Sequence, residues 1–147
     1  DCRRAVRRQI GLGADVIKFA TTGGVNSGTG LATRMEADEA RALVETAHAY
    51  GRRVAVHAHG AEGIKLAVRA GADSIEHGTV MDDEIIKLMK ERGTFYVPTL
   101  STVNGYLERL AANPNAYPPA IKAQIDWRIG ITGQSLRKAY PAGVRIA

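Results

Sequence analysis

Tyr50-Gly51-Arg52-Arg53-Val54-Ala55-Val56-His57-Ala58-His59-Gly60 and Ala70-Gly71-Ala72-Asp73-Ser74-Ile75-Glu76-His77-Gly78 repeat one phrase: a helix-like stretch, a glycine, then a short β-branched run ending in histidine. Glycine just past a helix end is the usual left-handed cap. A short apolar run after it reads as a strand buried in a parallel sheet. The phrase recurs at Gly13 before Val16-Ile17-Lys18-Phe19-Ala20, at Gly93 before Phe95-Tyr96-Val97, and at Gly143 before Val144-Arg145-Ile146. The intervals between Gly51, Gly71 and Gly93 are 20 and 22 residues, the pitch of a strand plus a helix.

The segments between these runs carry helical periodicity. Residues 36–50 place Ala37, Ala40, Leu43, Val44 and Ala47 on one face. Residues 61–70 and 82–92 follow the same rule, the latter opening on two acids that suit a helix N-terminus. A further helix is expected over residues 3–10. The stretch 101–140 breaks the rhythm: Asn113-Pro114-Asn115 and Pro118-Pro119 mark a loop, and one long helix is expected over residues 120–138. The expectation is therefore an α/β fold with four parallel strands and a fifth beginning at Val144. A parallel barrel needs eight such units in about 250 residues, so a partial (β/α)8 TIM-type barrel, continuing beyond residues 1–147 at both ends, is expected.

Composition narrows the class of protein. At 147 residues, 45% hydrophobic and 24% charged, the chain is an ordinary globular length of sequence and not a disordered one. The net charge of +5 comes from scattered residues apart from Arg3, Arg4, Arg7 and Arg8. No nucleic-acid recognition motif accompanies that cluster, which reads as a solvated helix face. One cysteine excludes an internal disulfide and a cysteine-based zinc site. No apolar run reaches the length of a membrane span. Nothing in the sequence separates a cytoplasmic from a secreted or periplasmic location.

In parallel α/β folds the chemistry sits at the C-terminal ends of strands. Lys18, His57, His59, His77, Thr99 and Ser101 all fall there. Neutral imidazole is a good ligand for zinc and similar ions. Histidines ending adjacent strands at the same depth, about 5 Å apart laterally, can reach one ion; two hydrogen-bonded histidines at a rim fit the same positions. His59 shares a strand face with His57 by alternation. Lys18, inside an apolar run, is expensive to bury as a cation. It is expected to be paired with an acid such as Glu36 or Glu76, or neutral and modified as a carbamate. His48, late in its helix, reads as a surface residue. Thr21-Thr22-Gly23-Gly24 and Ser27-Gly28-Thr29-Gly30 form a glycine-rich loop that matches no phosphate-binding pattern and suits an active-site loop.

Ile17-Lys18-Phe19 with Thr22-Gly23-Gly24, then Val56-His57-Ala58-His59-Gly60, then Ile75-Glu76-His77-Gly78, resemble the amidohydrolase superfamily. The branch resembled holds imidazolonepropionase-like proteins and metal-dependent Xaa-Pro dipeptidases and carboxypeptidases. The resemblance implies a (β/α)8 barrel, present here as about strands four to eight. It also implies one or two divalent ions per subunit, zinc foremost, and hydrolysis of a C–N bond by metal-activated water. It makes Lys18 a carbamylated, bridging ligand and His57 and His77 metal ligands, the three together forming the catalytic set. His59, Thr22 and Thr99 become substrate contacts. Two family elements, a His-x-His pair ending the first strand and an Asp ending the eighth, do not occur in the chain. The implied substrate is a small peptide or amide, with neither nucleic acid nor membrane as partner. A cyclic-amide hydrolase and a non-catalytic half-barrel are the alternatives. Two unpaired sheet edges in a half-barrel favour a homo-oligomer.

Overall fold

The computed structural model describes residues 1–27 and 30–147. Gly28 and Thr29 of the glycine-rich loop lie outside the described residues. The order of elements is α1 (Cys2–Gly11), β1 (Val16–Ala20), α2 (Ala37–Ala49), β2 (Arg53–Ala58), α3 (Ala61–Ala70), β3 (Ser74–His77) and α4 (Asp83–Arg92). There follow β4 (Phe95–Val97), α5 (Thr102–Ala112), α6 (Pro119–Gly130) and α7 (Gln134–Ala139). The four strands form one parallel sheet in the order β1-β2-β3-β4. Alternating helices and parallel neighbouring strands are consistent with part of a (β/α)8 barrel.

Local chemistry accounts for the helix ends. Asp82 caps α4 by accepting a hydrogen bond from Ile85 N at 2.8 Å. Glu36 and Glu39 form a capping box at the start of α2. Gly71 and Gly93 close α3 and α4 in the left-handed conformation. One face of the sheet offers Ile17, Val54, Val56, Ala58, Ile75 and Tyr96 to the helices, which answer with Val44, Ala47, Ile64, Ala67, Val68, Ile85 and Met89. Each large aliphatic side chain buried here contributes about 1.5–3 kcal/mol. On the other face, Val16, Ala55, Ser74, Phe95 and Val97 line an open groove. Asp73 locks the bottom of the sheet: its carboxylate accepts from Val54 N at 2.8 Å, from Arg53 at 3.1 Å and from His48 Nε2 at 2.7 Å. His48 is thus a surface residue with a structural partner. The arginines of α1 are exposed, and Arg3 pairs with Glu45 at 3.0 Å. Among the described residues no helix is long and apolar enough to cross a membrane.

Three expectations need correction. The long helix over residues 120–138 is two helices. After Gly130 the Thr132 hydroxyl bonds the Arg128 carbonyl at 2.7 Å, and Gly133 turns left-handed at φ 79°. The stretch before it contains helix α5, which buries only Val103. The fifth strand at Val144 is a single parallel bridge, Tyr96 with Ile146.

Candidate metal centre

The sheet register brings the histidines near one another but not at equal depth. Ala20 pairs with His57, His57 with Glu76, and Ala58 with His77. His77 therefore sits one residue further along than expected. Strand alternation from buried Ile75 would send it under the helices. The backbone prevents this: His77 adopts φ 73°, a left-handed conformation uncommon for a non-glycine residue, and Gly78 follows at φ 48°. The turn swings the His77 ring to 4.6 Å from that of His57.

His59 joins them. β2 ends at Ala58, so His59 stands in the link to α3, where its backbone N–H donates to Thr22 Oγ1 at 3.0 Å. Its ring lies 4.7 Å from His57 edge-on and 4.7 Å from His77 in a near-parallel stack. One nitrogen from each of the three rings lies within 4.8 Å of the others. Tetrahedral zinc, with Zn–N near 2.0–2.1 Å, sets its nitrogens roughly 3.3 Å apart, so small ring rotations suffice.

Hydrogen bonds decide what two of these rings can offer. His57 Nε2 lies 3.1 Å from the Gly23 carbonyl, which can only accept. The proton is on Nε2, and Nδ1 carries the free lone pair. His59 and His77 use Nδ1 instead, against Thr79 Oγ1 and Thr99 Oγ1, each at 2.7 Å. Nδ1 is thus engaged in both rings, and among the described residues neither Nε2 has a hydrogen-bond partner to compete for it. Burial, then the charges of His77, His57 and Arg128, push His59 down to about 3. Burial, then His57, Lys18 and Arg128, push His77 down to about 4. Both rings are neutral at pH 7, the form a metal requires. On this chemistry the donor set fits a divalent ion.

These shifts predict an acid-sensitive fold. In the metal-free protein His59 and His77 are neutral when folded but titrate near 6.5 when unfolded. Their contribution to stability is complete above pH 6.5 and is lost as pH falls through about 4 and 3, because the unfolded chain binds more protons there. The unfolding temperature of metal-free protein is expected to fall steadily from pH 7 to pH 4.5. A double variant, His59→Gln with His77→Gln, should flatten that slope; an unchanged slope would refute the assignment.

Lys18 is not buried. It stands on the edge strand β1, its side chain is 51% exposed, and Nζ lies 3.6 Å from Glu76 Oε2. Of the expected alternatives for Lys18, pairing with an acid is the one seen within this chain, the partner being Glu76. Its register partner Ala55 lies two residues below His57 on the same strand face, about 7 Å along the strand. Thr22 is buried, donates to Gly23 O at 2.9 Å and receives His59 N, so it supports the link under the cluster. Thr99 is half-buried beside His77. Two residues at this end of the sheet carried no sequence signal: Thr79, which holds His59, and Arg128. The Arg128 side chain is 4% exposed, donates to Thr132 Oγ1 at 2.9 Å, and has no carboxylate within ion-pair distance among the described residues.

Comparison with known proteins is decisive for the family. The description "Amidohydrolase family" matches residues 1–147. The chain belongs to that family. Among curated relatives, ochratoxinase of Aspergillus niger is 41% identical over 149 aligned residues, covering 100% of this chain and 30% of the relative. A solved Xaa-Pro dipeptidase with methionine in its active site superposes with a TM-score of 0.91 at 44% identity, over 99% of this chain and 36% of that one. A prolidase complexed with N-methylphosphonate-L-proline gives 0.89 at 37% identity, over 99% and 36%. The chain thus spans about a third of the length of these amidohydrolases.

Proposed function

We propose that the protein carrying this chain is a metal-dependent hydrolase of a C–N bond in a small peptide or amide, a dipeptidase or carboxypeptidase in character. The observation that carries the reading is the group of three imidazoles at the strand ends, two of them held neutral by burial, in a chain whose relatives are named Xaa-Pro dipeptidase, prolidase and ochratoxinase. In this reading β1 to β4 are the fourth to seventh strands of the barrel.

His57 and His77 would hold one or two divalent ions, zinc foremost, and Lys18, once carbamylated, would add a carboxylate ligand. Such an ion supplies a water of lowered pKa and polarises the scissile carbonyl. The chain's own residues do the rest. Gly23 O fixes the His57 ring. His59 presents a neutral imidazole to the same space, toward the substrate. Arg128 adds positive potential that suits a developing negative charge.

The test is zinc content and hydrolysis of an Xaa-Pro dipeptide by the full-length protein and its Lys18→Ala variant. Lys18→Ala is expected to lose the second ion and most of the rate. Unchanged metal content and rate would sink the carbamate assignment, and a wild-type protein with neither zinc nor amide hydrolysis would sink the whole reading.

A further inference from the structure

Among the described residues, His77 and Thr99 alone combine a side chain with a positive φ, 73° and 50°. They are also bonded to each other, His77 Nδ1 to Thr99 Oγ1 at 2.7 Å. A β-branched residue in the left-handed region is a genuine outlier, and strain of this kind persists where the surroundings over-determine it. Here the Thr99 hydroxyl also lies 2.8 Å from the Pro98 carbonyl. A carbonyl cannot donate, and the hydroxyl has one hydrogen. That hydrogen goes to Pro98, so toward His77 the hydroxyl can only accept. His77 must then carry its proton on Nδ1 and keep Nε2 as a bare lone pair. The Pro98 carbonyl also receives a long contact from buried Arg128 at 3.5 Å, which helps hold the acceptor in place.

We propose that Thr99 is a positioning residue for His77, a strained hydroxyl that fixes the imidazole tautomer and so readies Nε2 for a metal ion. The inference rests on the metal reading above. The other ring held by a threonine differs. Among the described residues the Thr79 hydroxyl has only His59 as a hydrogen-bond partner, so it can donate or accept and imposes no tautomer on His59. The proposal also alters the expected role of Thr99: its only hydrogen is committed, so it has none to give a substrate.

The experiment uses zinc alone, titrated into metal-free full-length protein against a chromophoric chelator. Thr99→Val keeps the β-branched shape and removes the acceptor; Thr99→Ser keeps the acceptor. Thr99→Val is expected to bind zinc roughly 10–100-fold more weakly, the usual effect of losing such a partner. Thr99→Ser is expected to stay within about threefold of wild type. Histidine-selective 15N spectra of the metal-free proteins should show His77 protonated on Nδ1 in wild type and Thr99→Ser, and a tautomer mixture in Thr99→Val. Wild-type zinc affinity in Thr99→Val, or an equal loss in Thr99→Ser, overturns the proposal while leaving the metal reading intact. Wild-type protein that binds no zinc overturns both.

Discussion

If the proposed function holds, replacing His77 by alanine is expected to abolish tight zinc binding and to lower amide hydrolysis by about a thousandfold or more, since the ion would supply the activated water. His77 is the ring whose position depends most on the fold. It reaches His57, 4.6 Å away, only because its own backbone turns left-handed at the end of β3. Its loss removes a proposed ligand and also the stacking partner of His59. His48→Ala is the control. That histidine lies at the opposite end of the strands against Asp73 and should leave zinc content unchanged. Zinc measured on the dialysed protein decides the matter. A His77→Ala protein that retains wild-type zinc would remove this residue from the metal centre.

The largest effect on stability is expected at Gly78. Its φ of 48° is strained for any side chain, and a Cβ there would meet the Met81 side chain and lie 2.6 Å from the Tyr96 ring. Tyr96 cannot withdraw, because it is buried and its hydroxyl donates to Gly78 O at 3.3 Å. The left-handed backbone costs about 1–2 kcal/mol with a Cβ present, and overpacking adds about 1–3 kcal/mol. Gly78→Ala is therefore expected to destabilise the protein by roughly 2–5 kcal/mol, and to disturb His77 next to it. Gly105 makes the contrast. It lies within α5 with nothing near its Cβ position, so alanine there should be neutral or stabilising by up to about 1 kcal/mol. Equal stability of the two variants in urea unfolding would contradict this account.

How much was legible beforehand follows from the range of each signal. The strands Val16–Ala20 and Phe95–Val97 and the helix Ala61–Ala70 match their expected bounds, because glycine caps and apolar periodicity are local. The histidines at the strand ends were legible for the same reason. The division of α6 from α7 was not, since it turns on a threonine back-bond and one left-handed glycine inside an otherwise helical composition.

By itself the sequence determined the parallel α/β plan, the family resemblance, and the placing of Lys18, His57, His59 and His77 near one end of the sheet. All of these follow from spacing along the chain. The tertiary structure alone decided the rest. The one-residue offset between His57 and His77 is a property of register, which depends on how two distant strands pack. The pairing of Lys18 with Glu76 depends on which face of β1 the helices cover, and they cover the face of Ile17. The tautomers of His57 and His77 depend on a carbonyl at Gly23 and a hydroxyl at Thr99, 34 and 22 residues away, and no pattern of neighbouring residues specifies such a meeting.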